Sequence, residues 1–290
     1  MSMPFEERER RYMVEQRSRL NQPAAPGVGF SLCRKLLTMN CGGVHRTEVV
    51  ALSRNDPFSG IRFFRSAKFH GLSITRGAFV RGEDPFRYLP ALGASLFLSA
   101  NGKDVKKALA QGIPAATVFP RAAGEDPNPN ELRIAFDGDS VLFSDEAERQ
   151  YKESGLAAFM EHEVSRVGEP LPAGPLQPFL MALHRLQTSL PTDASCRIIT
   201  ALVTARGAPA HERALTTLDS WGIEVNQAFF LDGLPKTPFL EAFQPDFFFD
   251  DQMAHIEGAR STVPSGHVDY GIANEIPPRT DLDSAATKEK

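Results

Sequence analysis

Residues 133–146, RIAFDGDSVLFSDE, set two aspartates, Asp137 and Asp139, one glycine apart between two apolar runs. The run LRIAFD (132–137) reads as a buried strand, which fits a parallel sheet covered on both sides. Downstream, EAERQYKESGLAAFMEHE and PFLMALHRLQTSL carry helical patterns, and IITALVT (198–204) is again strand-like. HERALTTLDSWG reads as a helix closed by Gly222, AFFL (228–231) as a strand, FLEAF as a short helix and DFFFD (246–250) as a last strand. Strands alternating with helices imply an α/β fold with a Rossmann-like parallel sheet.

The first half repeats that order in its letters. SRNDPFSGIRFFRSAKFHGLSITRGAFV (53–80) parallels TARGAPAHERALTTLDSWGIEVNQAFFL (204–231), and PFRYLPALGASLFLSAN (85–101) parallels KTPFLEAFQPDFFFDDQ (236–252). Upstream, EERERRYMVEQ (6–16) parallels DEAERQYKESG (145–155). The expectation is one unit present twice. The acids occur in only one copy: Thr204 faces Ser53, Lys236 faces Pro85, and Asp250-Asp251 face Ser99-Ala100. Polar residues that appear in one copy of a shared apolar framework are poor candidates for scaffold.

The polar stretch RAAGEDPNPN (121–130) reads as a linker, dividing a degenerate α/β repeat (1–120) from a catalytic unit (121–275). Residues 276–290, IPPRTDLDSAATKEK, lack apolar periodicity and read as a disordered tail. The remaining composition excludes more than it indicates. A net charge of −4 gives no general field for a nucleic acid polymer or an anionic membrane. Cys33, Cys41 and Cys196 form neither a disulfide framework nor a metal-binding spacing. No apolar run reaches the ~20 residues that span a bilayer, and the charged N-terminus does not resemble a secretory signal. A cytoplasmic protein is expected, with self-association into a homo-oligomer left open.

Asp137/Asp139, Thr204, Lys236 and Asp250/Asp251 all end strands or begin the loops that follow. In an open parallel sheet, ligand sites lie at the carboxyl ends of strands. Singly, each has an ordinary explanation: an Asp caps a helix, a Thr bonds the local backbone, a Lys is solvated. Together, several carboxylates at adjacent strand ends repel one another unless a cation neutralises them. An all-oxygen set with room for phosphate oxygens suits Mg²⁺.

D-G-D-x-V (137–141), T-A-R (204–206), P-K (235–236) and F-F-D-D-Q (248–252) resemble the four motifs of the haloacid dehalogenase superfamily. The longer stretches RIAFDGDSVLFSDE, LVTARGAPAHERALTTLDSWG and FLDGLPKTPFLEAFQPDFFFDDQMAHIEGA are similar to the cytosolic 5′-nucleotidase type I family, over residues 22–272. The resemblance implies a Mg²⁺-dependent phosphoric monoester hydrolase acting on nucleoside 5′-monophosphates, in a haloacid dehalogenase-type sheet with a small helical cap and a degenerate second copy. It implies Asp137 as nucleophile, Asp139 as general acid/base, Thr204 as phosphoryl-holding hydroxyl and Lys236 as balancing cation. Asp137, Asp139 (through its carbonyl) and Asp250 would hold the metal, supported by Asp251, Ala205 and Arg206. Residues 144–191 would form the cap, within which His162, His184 and Arg185 either contact base or ribose or, as the ordinary reading has it, line a solvated helical face. Phe143, Phe159 and Phe179 are expected in the core.

Members of that family carry a further strand ahead of the stretch matching residues 6–16. Here the first unit is expected to lack its central strand, or the start to be truncated. The first copy is expected to be structural; the alternative is a nucleotide effector site at Ser53, Arg54 and Asn55. Two other functions stand beside the nucleotidase: a phosphatase for another small phosphoester, and a catalytically silent nucleotide-binding protein.

Overall fold

Three consecutive apolar residues, Ile134, Ala135 and Phe136, close the strand ELRIAF, and all three are fully buried in the middle of the sheet. The computed structural model describes residues 5–275. In chain order these form α1 (Phe5–Ser18), α2 (Phe30–Thr38), β1 (Val50–Ser53), α3 (Pro57–Phe69), β2 (Arg76–Phe79), α4 (Leu89–Leu92), β3 (Phe97–Ser99), α5 (Gly102–Ala110) and β4 (Ala115–Val118). The second half continues with β5 (Glu131–Phe136), α6 (Glu146–Ser165), α7 (Gln177–Ser189), β6 (Arg197–Thr204), α8 (His211–Ser220), β7 (Gln227–Phe230), α9 (Thr237–Phe243), β8 (Phe247–Asp250), α10 (Met253–Ala259) and β9 (Ser265–His267). The tail expected to be disordered, 276–290, lies outside the described residues.

Seven strands make one sheet in the order β3-β4-β9-β8-β5-β6-β7, and β1-β2 form a separate parallel pair. Every pairing in the large sheet is parallel except β4 with β9, where Thr117 faces His267. Residues alternate across the faces, as the strand period of two requires. Ile134, Phe136, Phe247 and Phe249 enter one core cluster with Leu32 of α2 and Leu180 and Leu183 of α7. Ala135, Ala201, Val203 and Phe248 enter a second with Leu240 and Phe243 of α9 and Ile256 of α10. Each large side chain buried this way contributes about 1.5–3 kcal/mol. Phe143, Phe159 and Phe179 are buried, as expected from the sequence.

The helical pattern expected over residues 146–163 is interrupted at Gly155, whose φ of 78° and ψ of 177° break α6. A residue without Cβ tolerates that conformation. Residue 120 does not divide the sheet. β3 and β4 join it through β9, and Leu32 and Met39 pack into the main core. Lys35 of α2, 2% exposed, donates to Asp126 at 2.9 Å and to Asp246 at 2.7 Å, tying the first half to the start of β8.

Backbone details recur between the halves at an offset of 151 residues. Gly71 and Gly222 have φ of 71° and 67°, Arg81 and Asp232 of 41° and 47°, and Gly82 and Gly233 of 85° and 82°. The N–H of Val80 donates to Ser53 O as that of Leu231 donates to Thr204 O, both at 3.0 Å. Asn55 N–H donates to Ser53 Oγ at 3.1 Å, and Arg206 N–H to Thr204 Oγ1 at 3.2 Å. β5 lies between β6 and β8 in the large sheet, whereas β1 and β3 lie in different sheets and no described strand pairs with both.

Candidate active site

β5, β6 and β8 are neighbours in the sheet and end on the same side, so their last residues meet. The N–H of Asp137 donates to Phe249 O at 2.8 Å, extending the ladder to the first aspartate. The chain then turns tightly through Gly138–Leu142, with Ser140 at φ 61°. Gly138 permits that turn to lie against β6: a Cβ there would stand 3.1 Å from Thr204 Oγ1.

Lys236, at the start of α9, is 4% exposed and donates from Nζ to Asp137 Oδ1 and to Asp250 Oδ2, both at 2.7 Å. Asp250 is further held by Gln252 N–H at 2.8 Å and by His255 Nδ1 at 3.1 Å. Burial pushes the Asp137 carboxyl up to about 7 against the pull of Lys236, and Asp250 adds repulsion. Burial also opposes ionisation of Asp250, but Lys236 and His255 hold it below the usual carboxylate range. The carboxylates in turn raise Lys236 against its own burial, so it stays charged.

Asp251 differs from its neighbours. It is 1% exposed, and neither of its oxygens has a hydrogen-bond partner among the described residues. Burial, with repulsion from Asp137, Asp250 and Glu148, pushes it up to about 9. Three buried carboxylates against one ammonium leave two negative charges uncompensated when all are ionised. One oxygen each from Asp137 and Asp250 lies within 4.8 Å of the other and of a His255 ring nitrogen. A buried carboxylate with unengaged oxygens beside such a group offers the hard oxygen donors a divalent cation takes, so the donor set fits Mg²⁺.

Asp139 is held by Arg206, whose Nε and Nη2 donate to its two oxygens at 2.9 and 2.7 Å. Thr204 is 1% exposed beneath Gly138, and Ala205 O accepts from Gly233 N–H at 3.3 Å. The structure therefore brings together Asp137, Thr204, Lys236, Asp250 and Asp251, with Asp139 and Arg206 alongside. Two residues that sequence reasoning passed over belong here as well. His255 follows Asp250 by five positions on α10, and Glu163 reaches Arg206 from α6. His162, a candidate base or ribose contact, lies against Glu146 and Glu163.

In the first half, Ser53 Oγ accepts from Asn55 N–H, and Asn55 Nδ2 donates to Tyr12 Oη at 3.0 Å. The guanidinium of Arg54 is committed to Asp84 and Asp104 and to the carbonyls of Gly82 and Glu83. It is not a free cation waiting for an anion, though it lines a cavity of about 720 Å³ with Asn101, Lys103 and Lys107.

The carboxyl edge of this mostly parallel α/β sheet, where such sheets bind ligands, gathers buried carboxylates, a lysine and a hydroxyl. The 5′-nucleotidase family, a family of phosphoric monoester hydrolases, matches residues 3–275, and the chain belongs to it. The human protein named cytosolic 5′-nucleotidase 1B is 38% identical over 261 residues. The aligned region is 86% of this chain and 43% of that relative, so the chain spans under half the relative's length. No solved structure matches the chain. Among the described residues no helix is long and apolar enough to cross a membrane.

Proposed function

We propose that this chain is a Mg²⁺-dependent 5′-nucleotidase that releases phosphate from nucleoside 5′-monophosphates through an aspartyl phosphate on Asp137. The observation that carries the reading is the buried cluster at the strand ends, in which Lys236 joins Asp137 to Asp250 while Asp251 has no partner. Asp137 Oδ attacks phosphorus, and the bond to the 5′-oxygen breaks as Asp139 delivers its proton to that oxygen. In the second step water attacks phosphorus, its proton passes to Asp139, and the Asp137–phosphorus bond breaks. Lys236 and the Thr204 hydroxyl hold the charge that builds on the transferred group. The metal, when bound, would draw charge from the phosphoryl oxygens. Asp137, the Asp139 carbonyl, Asp250 and Asp251 would hold it, with Asp251 offering the oxygens not otherwise engaged.

Residues 144–191, which include α6 and α7, serve as a cap, and the framework is of the haloacid dehalogenase type. The first half is a degenerate copy of the catalytic unit, a reading supported by the recurrence of φ values and hydrogen bonds at the 151-residue offset. The commitment of Arg54 to Asp84 and Asp104 favours a structural role for that copy over an effector site. A cytoplasmic location accords with the name of the human relative.

A panel of phosphoesters with Mg²⁺ and with EDTA tests the function. Metal-dependent release confined to nucleoside 5′-monophosphates is the expected result. A preference for sugar phosphates assigns the site to another phosphoester, and binding without release assigns it to a silent nucleotide-binding protein.

A further inference from the structure

Arg206 lies two residues beyond the end of β6, with its side chain 2% exposed, and its planar head serves two carboxylates at once. One edge makes the two-bond fork to Asp139. From the other, Nη1 donates to Glu163 and to the carbonyl of Ala210 at 3.2 Å. Glu163 stands on α6, is fully buried, and accepts with its second oxygen from Arg213 Nη1 at 2.8 Å. Arg213 is anchored in turn by the carbonyl of Glu169 at 2.9 Å. The rings of Phe143 and Phe159 lie 6.0 and 5.8 Å from the Arg206 guanidinium. Asp139, Arg206, Glu163 and Arg213 thus form a row of alternating charge running from the catalytic turn into α6.

A buried ion-pair chain is a weak device for stability, since desolvation of the charges offsets most of their attraction. Its geometry has a clearer use. Neither Arg206 nor Glu163 bonds Asp137, whose cation is Lys236. The row ends on the one carboxylate whose task is to move protons. A two-bond fork fixes the plane of a carboxylate, whereas a single bond leaves it free to swing. An arginine aims such a fork only if its own long stem is held, and Glu163 with Ala210 O holds it.

We propose that Arg206 is the positioning residue for Asp139 and that Glu163 anchors Arg206, so that proton delivery to the leaving oxygen depends on α6 being seated. The proposal rests on the acid/base assignment of Asp139 made above. In the first step Asp139 gives its proton to the alkoxide oxygen as the P–O bond breaks. An aryl oxide departs without that proton. Misplacing Asp139 therefore slows release of a nucleoside and leaves release of nitrophenol nearly untouched.

The test compares a nucleoside 5′-monophosphate with nitrophenyl phosphate, each in single turnover with Mg²⁺. Glu163→Gln is expected to lower the nucleotide rate roughly 10- to 100-fold, with KM within about 3-fold, because general acid catalysis is worth 10²–10⁴. Nitrophenol release should change by less than about 3-fold, since it draws little on that term. Arg206→Lys keeps the charge but loses the fork and should show the same split, which covers the case in which Glu163→Gln does not fold. Equal losses on both substrates, or no loss on either, overturn the proposal. Failure of both variants to fold, read from their melting, also overturns it by assigning the row to stability. Asp139→Asn separates the two levels: if that variant does not discriminate between the leaving groups, the acid/base assignment itself fails. If it discriminates and the Glu163 and Arg206 variants do not, only the anchor fails.

Discussion

Replacing Asp251 by Asn removes a buried carboxylate that has no hydrogen-bond partner among the described residues. Its carboxyl is pushed from an ordinary 3.8 to about 9 by burial and by its acidic neighbours. At pH 7.5 the metal-free protein must therefore fold with a proton taken up at this group, at a cost of up to about 5 kcal/mol at about 1.36 kcal/mol per pKa unit. Part of that is shared with Asp137, so about 2–3 kcal/mol is a fair share for Asp251. Asn leaves a buried amide short of partners, which costs about 1–3 kcal/mol. The two nearly cancel, so in EDTA the variant should melt at or slightly above the wild type. Magnesium separates them. At one hundred times its dissociation constant, a ligand that binds only the native state adds about 2.7 kcal/mol. At roughly 2–4 °C per kcal/mol for a chain of this order, the wild type should gain about 5–10 °C. Asp251→Asn should gain little. Scanning calorimetry at pH 7.5, with EDTA and with Mg²⁺, measures both. An equal rise in wild type and variant refutes the reasoning, as does a variant that melts far below the wild type in EDTA.

The pH dependence follows from the same groups. Asp137 and Asp251 both have raised carboxyls, so their contribution is fully present below the ordinary carboxylate range and is lost as pH rises through about 7 and about 9. Asp250, held low, contributes in the opposite sense and loses its contribution only as pH falls below that range. In EDTA the melting temperature should therefore fall between pH 5 and pH 9, and saturating Mg²⁺ should flatten the slope. Lys236→Met leaves Asp137 and Asp250 buried without their shared cation, and urea unfolding should show a loss of about 3–5 kcal/mol together with loss of turnover. Gly138→Ala puts a methyl 3.1 Å from Thr204 Oγ1, so turnover should drop while urea unfolding shows a loss of about 1–3 kcal/mol from overpacking.

Much of this was legible in the letters because the buried strands carry the pattern. FFFD has no polar residue until its last position and ELRIAF closes on three apolar residues, so their place in a covered sheet and the location of Asp137 and Asp250 at its edge follow together. The parallel between residues 53–80 and 204–231 has a counterpart in the backbone, where Gly71 and Gly222 both take left-handed φ. How the halves join was not legible. The β4–β9 contact rests on two facing pairs, Thr117 with His267 and Val118 with Gly266, and its strands have no motif that names a partner. Within the site, residues at strand ends were readable and residues on helices were not. Glu163 reads as one more acid on a charged helix until the fold turns it toward Arg206 and Arg213. Lys35 and Arg213 are likewise charged letters whose burial only long-range contacts reveal.

The central claim is that Asp137 becomes covalently bound to phosphate. Borohydride reduces an acyl phosphate but leaves a free carboxylate intact, so it converts a phosphorylated aspartate to homoserine. The protein is mixed with a nucleoside 5′-monophosphate and Mg²⁺, quenched during turnover, reduced and mapped by peptide mass. Homoserine at position 137, dependent on substrate and absent from Asp137→Asn, is the predicted result. Steady release of phosphate with an unmodified Asp137, or with the reduced residue elsewhere in the chain, would contradict the account.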